Sequence, residues 1–372
     1  MPLQAANAFV TWARGAARGV AVQRTADTAL TRVQLRAAAA QDGVPSAVVA
    51  FGRDVALLSG ASLRTASAVA RNADGLRVGE RVNVDGMAGT VLHTDDGFAE
   101  LDARGVVVAI VDTGVDVHHP ALAGRCLPGW NAVDGSADVA DMDGHGTHVA
   151  GKLAGVAPRA EDGGVAPWVS VLPIKAVDAF GRFSDASIAA GIRHATARGA
   201  RVVNLSLRSD VPLPLTASAI AEARWAGVLV VAASGNEGRN EVTYPAAYPG
   251  VLVVGSAEAG VRSRFSNGGA RLDLVAPGER VRSAEAGAYR ERSGTSMASP
   301  QVAAAAALVM ARNPHWTAEQ VAEWLRRTAR DRGLPGRDGD FGAGELDLFA
   351  AVHGAPAPVQ VPPARRPWAI SW

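Results

Sequence analysis

Five stretches of this chain are almost free of charge and run apolar for most of their length. They are GVVVAIVDTG from Gly105, VSVLPIKAV from Val169, RVVNLSL from Arg201, GVLVVAASGN from Gly227 and GVLVVGSA from Gly250. A strand with one wet face alternates apolar and polar residues. A continuous Val, Ile, Leu and Ala run suits a strand covered on both faces, the situation of a parallel sheet. Parallel strands need crossover connections, and helical segments stand in the right places: SDASIAAGIRHATARG from Ser184 and LTASAIAEARWAG from Leu215. The pattern predicts a doubly wound α/β layer structure with a mostly parallel sheet flanked by helices.

The 372 residues are 48% apolar and 20% charged, with a formal net charge of +1. That is enough apolar mass for one large core and a smaller unit. A near-neutral balance gives no electrostatic case for nucleic acid as a partner. Cys126 is the single cysteine, so no intrachain disulfide can form, which fits a reducing compartment. The longest apolar run, Val302 to Ala311, is too short to cross a membrane. No hydrophobic run of signal-peptide length precedes Arg14. The expectation is a cytoplasmic protein, or a secreted one if the true start lies upstream.

Four regions are expected. Residues 1–43 carry five arginines before residue 40 against one acid, Asp27, in alanine-rich sequence, and predict a basic helical segment. Residues 44–95 read as a small α+β unit. In it GERVNVDGMAGTVLHTDDG alternates around glycine turns like a hairpin or meander, and ASLRTASAVARNADG reads as a helix. Residues 96–353 hold the large α/β domain, and 354–372 form a proline-rich tail.

Functional residues in open α/β sheets collect just past the carboxyl ends of strands. Asp112 lies at such an end, though an aspartate there is often a plain turn or capping residue. DGHGTHVAG, from Asp143, opens a helix and places His145 and His148 three apart. A zinc protease helix needs a glutamate beside the first histidine and the second at i+4; here the neighbours are Gly146 and Thr147. GTSMASP, from Gly294, places Ser296 where an alanine-rich helix begins. A serine there can cap the helix, or act as a nucleophile whose anionic product the helix N-terminus favours. Pro300 is expected within the donor-free first turn.

The chain order Asp, His, Ser is one of three unrelated orders in which the serine triad occurs. DTGVD, GHGTHVAG and GTSMASP resemble the three active-site motifs of the subtilisin-like serine proteases (family S8), over roughly Gly97 to Val352. The resemblance implies Asp112 as orienting acid, His145 as base and Ser296 as nucleophile, with His148 structural. It also implies Asn236, in VVAASGNEG, as an oxyanion donor beside the Ser296 N–H.

By the same resemblance Ser206, Leu207 and Arg208 on one side, and Ala233, Ser234 and Gly235 on the other, flank the pocket for the P1 side chain, with Thr243 nearby. Arg208 and Thr243 stand where relatives often have glycine, which predicts a shallow pocket for a small or polar P1. No cofactor is expected. A structural calcium is common in the family, but Ala121 stands where an aspartate would ligate it, and an apolar side chain cannot bind a hard cation. Asp134, Asp138, Asp141, Asp143, Glu161 and Asp162 remain in loops. The expected partner is a polypeptide substrate. Residues 44–95 read either as a prodomain inhibiting the cleft in cis or as a permanent accessory unit. The expected activity is serine endopeptidase through an acyl-enzyme. The alternatives are a peptide macrocyclase or transpeptidase of the same fold, and a catalytically silent peptide-binding module.

Overall fold

The computed structural model describes residues 103–354, apart from 104, 158–161, 179 and 286, and, upstream, the backbone of six strands. The chain divides into two compact units, Met1–Glu100 and Leu101–Trp372.

In the first unit β1 (Val20–Arg24) pairs antiparallel with β2 (Val33–Ala37). This corrects the expectation of helix over 1–43. VQLRA alternates apolar and polar residues, a period of two that suits a strand, while VAVQR does not alternate and offers only two valines, and the alanine and arginine content around them hid both. A four-stranded antiparallel sheet follows, made of β3 (Ser46–Phe51), β4 (Asp54–Ser59), β5 (Arg81–Val84) and β6 (Met87–His93) in the order β3-β4-β6-β5. In the last pair of β5 with β6, Val84 stands opposite Met87. The helix expected over 61–75 and the tail beyond 354 lie outside the described residues.

The second unit is built on β7 (Val107–Asp112), β8 (Trp130–Asn131), β9 (Ser170–Lys175), β10 (Val202–Leu205), β11 (Leu229–Ala233), β12 (Leu252–Glu258), β13 (Val261–Arg262) and β14 (Leu274–Ala276). Seven of these lie in the order β13-β12-β11-β10-β7-β9-β8, with β14 also on β12. Every pair is parallel except β12 with β13. The helices are α1 (His145–Ala154), α2 (Asp185–Ala197), α3 (Pro214–Trp225), α4 (Thr295–Arg312), α5 (Ala318–Thr328) and α6 (Leu348–His353). A hairpin of β15 (Val281–Glu285) and β16 (Ala288–Arg292) precedes α4.

The five apolar runs form β7, β9, β10, β11 and β12, and they are covered on both faces. Ala109, Val111, Val203, Leu205, Val230 and Ala232 pack with Ile188 and Ile192 of α2 and Ile220 of α3 in one core. Their neighbours Val108, Ile110, Val202 and Val231 are equally buried, and α4 packs against β10, β11 and β12 and against α1. Burying a Val, Leu or Ile side chain contributes about 1.5–3 kcal/mol, so two cores fix the register of the sheet. That register brings the ends of β7, β10 and β11 side by side.

Candidate active site

Asp112 is the last residue of β7 and is 2% exposed. Its Oδ1 accepts the Thr113 N–H at 2.8 Å and lies 2.7 Å from Nδ1 of His145, the first residue of α1. A carboxylate only accepts, so Nδ1 carries the proton and Nε2 keeps its lone pair for a proton from elsewhere. Burial disfavours the imidazolium. The Asp112 charge and hydrogen bond outweigh it, and the His145 pKa is raised.

A residue not anticipated as functional sets this spacing. Asp141 accepts from Thr113 Oγ1 at 2.8 Å, Gly144 N at 2.9 Å, Thr147 N at 2.8 Å and Thr147 Oγ1 at 2.6 Å. One carboxylate therefore ties the end of β7 to the first turn of α1. Burial opposes its ionisation, but these donors prevail and its pKa is lowered. Lys175, buried at the end of β9, donates to the carbonyls of Thr113 at 2.9 Å and Ala140 at 2.6 Å. At Gly146 a β carbon would lie 2.0 Å from the Gly114 carbonyl, so only glycine lets α1 approach β7 this closely. The spacing of Asp141 four residues before His145 was the available signal.

Ser296 is the second residue of α4, so its N–H has no intrahelical carbonyl to meet. Its hydroxyl is turned to the Ser206 carbonyl at 3.2 Å, and Ser206 Oγ donates back to the Ser296 carbonyl at 3.0 Å. Pro300 is the sixth residue of α4 and lies inside the helix, past the first turn where it was expected. A proline has no N–H for the carbonyl four residues back, and here that carbonyl belongs to Ser296. Its vacant acceptor is the one Ser206 fills, so Pro300 frees the group by which the residue just after β10 grips Ser296.

Asn236 follows β11. Its Oδ1 accepts both the N–H and the hydroxyl of Thr295, at 2.9 and 3.0 Å. Because a backbone N–H can only donate, this contact fixes which amide atom is oxygen and leaves Nδ2 as a donor beside Gly294. Thr295, fully buried, was missed because its partner lies 59 residues away.

The residues expected around the P1 pocket divide. Ser206, Ala233, Ser234 and Thr243 are buried. Ser234 Oγ donates to the Asn267 carbonyl at 2.9 Å and Thr243 Oγ1 to the Ser234 carbonyl at 3.3 Å, so these hydroxyls bond inward. A β carbon on Gly235 would strike Asn267 Nδ2 at 2.3 Å. Leu207 is partly buried against the core. Arg208 is 45% exposed and pairs with Glu237 and Asp210, both at 2.9 Å. Asn267 Nδ2 holds the other Glu237 oxygen at 2.7 Å.

His148 is fully buried, its Nε2 3.0 and 3.1 Å from the carbonyls of Val281 and Arg290. Among the described residues no group of three His, Cys, Asp or Glu side chains is placed to hold a metal. The residues do not fit a calcium ion: Ala121 is fully buried, Asp162 pairs with Arg282, and Asp134, Asp138 and Asp141 each accept backbone N–H groups. Asp143 accepts the His145 N–H at 3.1 Å. Glu161 lies outside the described residues. No described helix is long and apolar enough to cross a membrane.

Comparison with known proteins bears on the same segment. A family model described as the subtilase family matches residues 103–344. Subtilisin BL and Subtilisin Savinase, both of Lederbergia lenta, are each 43% identical over 255 residues, covering 68% of this chain and 93% of the relative. A crystal structure of a cold adapted subtilisin-like serine proteinase matches with a TM-score of 0.59 and 33% identity, over 66% of this chain and 88% of the other.

Proposed function

The chain belongs to the subtilase family, and from that premise we propose that it hydrolyses peptide bonds through Asp112, His145 and Ser296 by way of an acyl-enzyme. That it is a serine endopeptidase follows from the family and its named relatives. The residue roles rest on the site. The observation that carries them is the 2.7 Å contact between His145 Nδ1 and Asp112 Oδ1: it fixes the tautomer in which Nε2 can accept a proton.

A serine hydroxyl is a weak nucleophile at neutral pH. Ser296 Oγ leaves the Ser206 carbonyl, gives its proton to His145 Nε2 and bonds to the substrate carbonyl carbon. The imidazolium so formed is stabilised by Asp112, which stays ionised. The carbonyl oxygen becomes an oxyanion, which Asn236 Nδ2 and the Ser296 N–H stabilise. His145 then protonates the leaving amine as the C–N bond breaks. Water, deprotonated by the same imidazole, displaces Ser296 from the acyl carbon. The Arg208–Glu237 pair and the Thr243 side chain keep the P1 pocket shallow, favouring a small or polar P1. The substrate is a polypeptide. Residues 44–95 are either a removable inhibitory segment or a lasting accessory unit.

The test is a fluorophosphonate probe on the purified chain beside Ser296→Ala, read by intact mass and N-terminal analysis. Labelling of the wild type alone supports the nucleophile; equal labelling of both removes Ser296 from the mechanism. A new N-terminus near residues 90–105 in the wild type alone identifies a removable segment; an unchanged one supports the accessory unit.

A further inference from the structure

The β15–β16 hairpin packs against α1 and leads in the chain into α4, and its last residue is unusual for what it holds. Arg292 ends β16, four residues before Ser296. Its Nε and Nη2 donate to the two oxygens of Glu285 at 2.7 and 3.0 Å, a bidentate pair. Nη2 also donates to the Asp143 carbonyl at 3.2 Å and lies 3.5 Å from its carboxylate. Glu285 is itself largely buried, and its Cγ occupies the space that a β carbon on Gly144 would need, 2.7 Å away. Asp143 and Gly144 are the two residues directly before His145. One ion pair therefore sits beneath the turn that presents the base, at the end of the strand that leads to the nucleophile.

The rest of the hairpin is fastened to α1 independently. His148 Nε2 meets the carbonyls of Val281 and Arg290, and Ser283 Oγ donates to the His148 carbonyl at 2.8 Å. These bonds hold α1 at its fourth residue. The contacts of Glu285 and Arg292 are made instead at the two residues that precede it, Asp143 and Gly144.

We propose that Glu285 and Arg292 form a positioning clasp, which holds the turn before His145 against β16 and so fixes the base relative to Ser296. This rests on the role of His145 proposed above. The clasp also places a guanidinium near the imidazole. The charged groups facing His145 are Asp112 from β7, Asp143 from the preceding loop and Arg292 from β16. Glu285 and Asp141 act one step further out, on Arg292. The two acids favour the imidazolium and Arg292 opposes it. Arg292 thus serves as a brace and as a counterweight to Asp112.

The experiment is the pH dependence of kcat/KM, with a chromogenic peptide that the wild type cleaves, for Arg292→Met, Arg292→Lys and Glu285→Gln. Removing the cation in Arg292→Met lets His145 hold its proton to higher pH, so the acid limb moves up by about half a unit. kcat falls about 10-fold through misplacement of the base, with KM little changed. Arg292→Lys returns the limb to its wild-type position without restoring kcat, because an ammonium keeps the charge and loses the fork. Glu285→Gln leaves the guanidinium without its bidentate anion and moves the limb down. A limb that stays fixed in Arg292→Met and Glu285→Gln, whatever happens to stability, overturns the clasp. Should Arg292→Met fail to fold, the downward shift in Glu285→Gln decides alone. If the wild type takes no fluorophosphonate, the base assignment itself has failed; if it labels and the limbs stay fixed, only the clasp has.

Discussion

Thr295 gives both its N–H and its hydroxyl to Oδ1 of Asn236. Two donors on one oxygen leave the amide no freedom to flip, so Nδ2 is aimed before any substrate arrives. Donors held in advance stabilise an oxyanion without reorganisation at the moment of reaction. Asn236→Ala is expected to lower kcat by about 10²–10³ with little change in KM, the range the corresponding donor has in subtilisin, a relative. Thr295→Val keeps the N–H and loses the hydroxyl, one neutral hydrogen bond worth about 1 kcal/mol, for a loss of about 5-fold. Steady-state kinetics on a peptide substrate check both. A Thr295→Val loss as large as that of Asn236→Ala would mean that the threonine acts other than through the amide.

The pairing of Asp112 with His145 gives a pH profile with a definite sign. The His145 pKa is raised above 6.5 because Asp112 outweighs burial, and the base must be neutral to work. Activity is therefore expected to fall as pH drops through this raised value. The contribution of the pair to folding runs the other way: it is complete below 6.5 and is lost as pH rises through the folded-state value. Asp112→Asn should move the acid limb down and lower kcat about 10⁴-fold, as loss of the orienting carboxylate does in another serine protease. An acid limb unchanged in Asp112→Asn would assign the titration to another group.

The strands and helices of the α/β unit were legible because their signals are local. Continuous apolar runs gave β7, β9, β10, β11 and β12, and Ser184, whose hydroxyl accepts the Ser187 N–H at 2.9 Å, marked the start of α2. Asp112, His145, Ser296 and Asn236 were legible as motifs. Their supports were not, since Asp141 reaches back to Thr113 and Arg292 reaches Asp143 across 149 residues. Such partners are set by the register of the sheet, which no single motif records. β1 and β2 were misread because alanine and arginine, good helix formers, surrounded two five-residue runs of which only VQLRA alternates. Pro300 was misplaced for a related reason: the value of a missing N–H depended on Ser206, just past the end of β10 and far away in the chain.

Asp141 joins β7 to α1 through Thr113, Gly144 and Thr147. Removing a part-buried acceptor leaves several donors unmatched, each costing about 1 kcal/mol or more. Asp141→Ala is expected to destabilise the fold by about 2–4 kcal/mol and to slow fluorophosphonate labelling. Asp141→Asn, which keeps one acceptor oxygen, should fall between Ala and wild type. Because its pKa is lowered, the contribution of Asp141 is present above the ordinary carboxylate range and is lost as pH falls through the folded-state value. Urea unfolding in a Ser296→Ala background, which prevents self-digestion, measures this. A Asp141→Ala variant as stable as its parent would show the bonds to be dispensable.

His148 makes acid a second threat to the fold, again through a lowered pKa but with burial as the cause. Its Nε2 faces two carbonyls and so carries the proton, while Nδ1 is buried and meets no partner among the described residues. Burial pushes its pKa down from 6.5 to about 4. A second proton would have to sit on Nδ1 with nothing to accept from it. The native state therefore resists protonation that the unfolded chain accepts at 6.5, and stability is full above that pH. It declines as pH falls from 6.5 towards 4, by about 3 kcal/mol in all. His148→Gln can still donate to a carbonyl through its amide and cannot titrate. In the Ser296→Ala background it is expected to be less stable at neutral pH and to lose less between pH 7 and 4. Imidazole resonances of His148 that titrate near 6.5, or an equal acid loss in His148→Gln, would assign the acid sensitivity elsewhere.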